Sequence, residues 1–226
     1  MIRALRGMRR DTSDRGMTLT ELLVSMTIFG GLMAIVMGVM IQLMYLSRDS
    51  LSTAQSVEQA RLGISQIDRQ VRSGNLIANP SLETVSDSGV EPYFSLRIYT
   101  QENGVDRCVQ WRVIDDNADN HFDLQFRSWD PNYPVVNDVT DWTMVAQNVV
   151  VPDAVDTSTP EGWPPFFVDS SMGGATDAHF VRITLRLKGT DARPSSKPVT
   201  VTTVVMGRNT VFGYPTSSCT NVPDPD

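Results

Sequence analysis

Apolar and polar positions divide the chain into three stretches with different periods. From Leu22 to Ile41, LLVSMTIFGGLMAIVMGVMI, no side chain is charged. At about 1.5 Å per residue such a run crosses a hydrocarbon layer about 30 Å thick, which predicts a membrane-spanning helix. Past Tyr45 the pattern changes without a breaker. Leu51, Ala54, Val57, Ala60, Ile64, Ile67 and Val71 recur at intervals of three and four, while Arg48, Asp49, Glu58, Arg61, Asp68 and Arg69 fall between them. This predicts an amphipathic continuation of the helix that rests one face on a globular body. Arg72, then Gly74-Asn75, then Pro80 predict its end.

Beyond Pro80 the period falls to two. Tyr93–Thr100 and Val105–Val113 flank the short turn QENG and predict a hairpin; 122–129 (FDLQFRSW) alternates and predicts a third strand, and 142–150 (WTMVAQNVV) a fourth. Residues 179–188 and 199–206 predict a closing pair, separated by a Gly, Pro and Ser-rich loop. An antiparallel sheet needs cover on one face, and the apolar stripe of the helix supplies it. The expected class is therefore α+β, a long helix on an antiparallel sheet. The tail from Ser217, ending in PDPD, is expected to be flexible unless Cys219 ties it down.

Charge sharpens this picture. The first 16 residues hold five arginines (Arg3, Arg6, Arg9, Arg10, Arg15) against Asp11 and Asp14, a net of +3; from Met17 onward 14 basic residues face 24 acidic ones, a net of -10. Arginines before the apolar run place the amino end in the cytoplasm and the acidic body outside. Nucleic acid is an unsuitable partner for so acidic a body. Between Arg15 and Arg48 the sole charge is Glu21, at the mouth of the apolar run. A charge in hydrocarbon costs about 2.5–3.5 kcal/mol, so a use for Glu21 is expected. Gly30, Ala34 and Gly38 form a row of small residues four apart, suited to close helix packing, and Gly30-Gly31 is a place for the helix to bend or melt. Met26, Met33, Met37, Met40 and Met44 read as adaptable packing.

Basic leader, Gly16, Met17, Thr18, Leu19, Thr20, Glu21 and then an apolar run resemble, in that order, the processing motif of type IV pilins and type II secretion pseudopilins. The resemblance implies a prepilin peptidase that cuts between Gly16 and Met17 and N-methylates Met17. It also implies that Glu21 becomes the fifth residue of the processed chain and pairs with the free amine of a neighbouring subunit. Phenylalanine is commoner where Met17 stands. The segment 66–77 (QIDRQVRSGNLI), followed by strands and a late hairpin ending in MGRN, is most similar to the W-type minor pilins and the J-type pseudopilins. Partners implied are the prepilin peptidase, other major and minor pilins or pseudopilins, the inner-membrane assembly platform and the cytoplasmic membrane. On this reading residues 1–16 are a leader, 17–46 the membrane and assembly half of the helix, and 47–75 its amphipathic half. Residues 76–216 are then the β-rich domain and 217–226 a flexible tail.

Other chemistry is sparse. Cys108 and Cys219 are the two cysteines, at no metal-ligand spacing; an exported domain can join them in a disulfide, and two free thiols are the alternative. His121 and His179 are the two histidines, with no GxSxG elbow or phosphate loop, so no enzyme activity is expected. Asp115, Asn117, Asp119 and Asp123 resemble the opening of an EF-hand loop. Asn120 stands where glycine belongs, however, and Phe126 replaces the closing glutamate. At most a weak extracellular calcium site is expected there, against a plain Asp/Asn turn, and no other cofactor. Two functions remain: a structural subunit of a pilus or pseudopilus, in a priming or tip position, or an uncleaved single-pass protein whose outer domain binds a ligand or partner.

Overall fold

A computed structural model describes residues 16–116, 121–152, 154–168, 180–189, 196–207 and 218–225. Contacts divide the chain into two compact units after Ser47. Helix α1, Leu19–Ser73, belongs to both, and it continues without interruption through Gly30-Gly31. In the first unit every described residue is exposed.

In the second unit α1 packs against the sheet through Ser56, Ala60, Gly63, Ile67 and Val71, with Val57 and Ile64 half-buried beside them. Leu51, expected on this stripe, is 62 % exposed, and Ala54 is exposed as well. The reason is helical geometry: each step of three residues falls about 60° short of a full turn, so the run 51, 54, 57, 60 drifts by about 180°. Gly63 lies close against the strands; a Cβ there would meet Leu124 Cδ2 at 2.9 Å and Val145 Cγ1 at 3.2 Å. Nε1 of the buried Trp111 donates to Gln70 Oε1 at 2.7 Å, and the Ser73 and Thr100 hydroxyls lie 2.8 Å apart, so the last turn of α1 is fastened to the sheet.

The sheet comprises β1 (Gly74–Ile77), β2 (Ser95–Glu102), β3 (Val105–Ile114), β4 (Phe122–Trp129), β5 (Thr143–Val149), β6 (Phe166–Val168), β7 (Phe180–Leu187) and β8 (Val199–Met206). All its pairings are antiparallel, in the order β1-β2-β3-β4-β5-β7-β6, with β8 also on β7. Strand β8 pairs with β7 from Phe180 to Leu187, so β5 and β6 share the opposite edge of β7. The β2–β3 turn has two residues, Asn103 at φ 50° and Gly104 at φ 81°, the left-handed pair that a tight hairpin turn demands.

Strands β1 and β6 and the short helix α2 (Val85–Ser88) go beyond the sequence expectation. Gly74 ends the helix as expected but opens a strand at once; a Cβ there would sit 2.8 Å from Ile98 Cγ2 and 3.0 Å from the Gln70 carbonyl oxygen. Alternation places Leu96, Ile98, Val109, Trp111, Val113 and Leu124 on the helix side of the sheet. Their neighbours Ser95, Gln110, Arg112, Gln125 and Arg127 point to the other side and are buried too. Cover there comes from the 83–88 segment and from Ser218–Pro225. Cys108 and Cys219 form a disulfide with Cα atoms 5.6 Å apart, in a small cluster with Tyr99 and Trp129. The exception allowed for the tail is met at 218–225: Cys219 ties it down, and hydrogen bonds from Arg112, Arg127 and Trp142 hold it on the sheet.

Candidate functional site

The start of α1 is built by local backbone chemistry. Thr18 stands just before the helix, and its carbonyl accepts from the N–H groups of Glu21 and Leu22 at 3.1 and 3.2 Å. Its hydroxyl also accepts from Glu21 N–H at 3.3 Å. Thr18 is thus the N-cap and Glu21 the third helical residue, the spacing of a capping box. A carboxylate in the first turn also meets the positive end of the helix dipole. Gly16 and Met17 lie ahead of the helix, exposed and outside any regular element.

From Leu22 to Leu46 the apolar side chains are all exposed. Leu22, Phe29, Met33, Val36, Met40 and Leu43 are each about half exposed or more. A patch of that extent calls for lipid or another protein. Polar atoms in the run are satisfied internally: Ser25 Oγ donates to the Leu22 carbonyl at 2.9 Å and Thr27 Oγ1 to the Val24 carbonyl at 2.8 Å, as a helix in hydrocarbon requires. Cβ atoms built on Gly30, Gly31 and Gly38 meet nothing within 4 Å, unlike that on Gly63. The small residues of the first unit thus form a surface free for an outside neighbour.

No family model, curated protein or solved structure matches the chain. What stands is the architecture, an apolar helix that continues onto an antiparallel sheet, consistent with a pilin-like fold. Of the described helices, α1 alone is long and apolar enough to cross a membrane, as a span or a signal segment would be.

The acidic turn after β3 is less of a site. Asn117 and Asp119 lie outside the described residues, as does His179. Asp123 sits in β4 opposite Ile114, and Asp116 accepts from Gln125 Nε2. Among the described residues, no three His, Cys, Asp or Glu side chains gather as metal ligands would.

On the outer face of β3 and β4, alternation alone does not reveal that Arg112 and Arg127 are buried. Glu83 is 2 % exposed and pairs with Arg97 at 2.8 Å. Burial pushes the Glu83 carboxyl above its usual range, with Arg97 opposing the push. Burial, and then the neighbouring Arg112, pulls the Arg127 guanidinium down to about 10. Polar side chains on an outward strand face ordinarily signal solvent, so only a covering segment found in the structure betrays this burial.

Proposed function

We propose that this chain is a structural subunit of the minor pilin or pseudopilin kind. It is held in the cytoplasmic membrane by α1, cut between Gly16 and Met17, methylated on Met17 and assembled through Glu21 into a filament, in a priming or tip position. The observation that carries this reading is the junction at residues 16–21. Gly16 and Met17 are exposed and outside regular structure immediately before a helix whose first turn holds Glu21, and the apolar surface that follows is exposed. A peptidase needs an accessible bond outside the helix, and a subunit needs an unfilled helix face. In the low dielectric of a helix bundle, a carboxylate at that position is neutralised by the new amine of a neighbour at a gain far above its value in water. The role is structural, with no catalytic step. The intact mass of protein extracted from its native membrane tests this: a chain that begins at Met17 and carries one added methyl group supports it, and one that still begins at Met1 overturns it. In the latter case the second reading holds, a tethered outer domain with a partner of its own.

A further inference from the structure

On the outer face of β3 and β4, each buried guanidinium is fixed from beneath by the sheet and the 83–88 segment. Arg127 Nε donates to Gln110 Oε1 at 3.0 Å and its Nη2 to the Asp87 carbonyl at 3.2 Å. Arg112 Nε donates to Gln125 Oε1 at 2.9 Å and its Nη1 to the Ser88 carbonyl at 3.2 Å. Trp142 lies against both, with the Arg112 and Arg127 carbons 3.8 and 4.3 Å from its ring centroid. Three side chains of this cleft also donate to one segment. Arg127 reaches the carbonyls of Asp224 (2.6 Å) and Pro223 (2.9 Å), while Arg112 and Trp142 Nε1 each reach that of Pro225 at 3.0 Å.

Arginine and tryptophan side chains donate and do not accept, so this surface satisfies acceptors only. Proline is the residue that offers a carbonyl with no N–H to leave orphaned. The sequence Pro223-Asp224-Pro225 therefore matches the surface in hydrogen-bonding sense, and the charge of Asp224 offsets the two cations. Val222 packs against the Tyr99, Cys108 and Trp129 cluster, so the contact also has an apolar anchor. Segment and surface are complementary as a peptide and its receptor are, with the Cys108–Cys219 bond keeping the local concentration of the segment high.

We propose that the Arg112–Arg127–Trp142 cleft is a peptide-binding site for an extended proline-acidic-proline segment, filled here in cis by residues 223–225 and able to take the same segment of a second copy. This goes beyond the subunit role and does not depend on it. The test uses the full chain in detergent and a fluorescein-labelled peptide of residues 218–225 carrying Cys219→Ser. The oxidised chain is expected to bind the peptide at least about tenfold more weakly than the Cys219→Ser chain, in which the segment is held by the backbone alone and exchanges more readily. Adding either Trp142→Ala or Arg127→Lys to the Cys219→Ser chain is expected to weaken binding about tenfold or more, as is replacing both prolines of the peptide by alanine. Absence of binding to the Cys219→Ser chain overturns the proposal, because a cleft that never exchanges its segment is only part of the fold. Binding that is indifferent to both cleft variants overturns it equally.

Discussion

Glu21 has a place in the helix cap and a proposed role in assembly, which its removal alone does not separate. It is the third residue of a capped helix, where a carboxylate is worth about 0.3–1 kcal/mol against the dipole, and in the proposed subunit it meets a neighbour's amine. Thr18→Ala removes the cap hydroxyl and costs about 1 kcal/mol of local helix stability, yet leaves the charge. Glu21→Gln keeps a neutral side chain of the same size and deletes the charge. If the charge carries assembly, Thr18→Ala subunits appear in sheared filaments and Glu21→Gln subunits remain in the membrane fraction, which immunoblotting distinguishes; equal recovery of the two would leave capping as the sole duty. A second carboxylate, Glu83, makes a prediction about pH. Its pKa is raised in the folded state by burial, so it binds its proton more tightly there than in the unfolded chain. Its contribution to stability is full below the unfolded pKa and is lost as the pH rises through the folded one. Urea midpoints measured from pH 4 to 7 are expected to show that loss in the parent and not in Glu83→Gln, as a difference between the two slopes.

Elements were legible in the sequence where one face of each is apolar. The alternation of FDLQFRSW specifies β4, residues 122–129, because β4 presents Leu124 and Phe126 to the helix. The two hairpin strands about Asn103-Gly104 were legible for the same reason. Strands β1 and β6 were not: at four and three residues they are too short for a period to show, and β1 begins at the glycine that ends the helix. The buried side of the helix was misplaced near Leu51 because repeated steps of three drift around its axis. Substitutions separate the two faces. Ile67→Ala, in the core, is expected to cost about 2–5 kcal/mol, whereas Leu51→Ala should stay within about 0.5 kcal/mol. Gly63→Leu, pressed against Leu124 and Val145, should lose about 1–3 kcal/mol through overpacking. Urea denaturation of the three variants checks all of these. Of the candidate site, the motif around Glu21 could be read directly, since its residues are contiguous. The arginine cleft could not, because strands β3 and β4 and residues 218–225 meet only through the fold.

Across the whole molecule, the division after Ser47 separates a unit whose described residues are all exposed from one with a core of its own. A fragment from Arg48 onward is therefore expected to be monomeric without detergent and to unfold in one cooperative step, while the full chain needs detergent to stay in solution; size-exclusion chromatography and circular dichroism measure both. If the fragment aggregates, the second unit depends on the first for its cover. Helix and sheet within the second unit are joined without a linker, since α1 ends at Ser73 and β1 starts at Gly74. Ser73, Thr100, Gln70 and Trp111 tie that joint from the side. Tension applied along the helix would thus meet no slack before it reached the sheet: the load would pass to the rungs between β1 and β2 and to the packed flank of α1, and the domain would yield by shearing there and not by paying out loose chain.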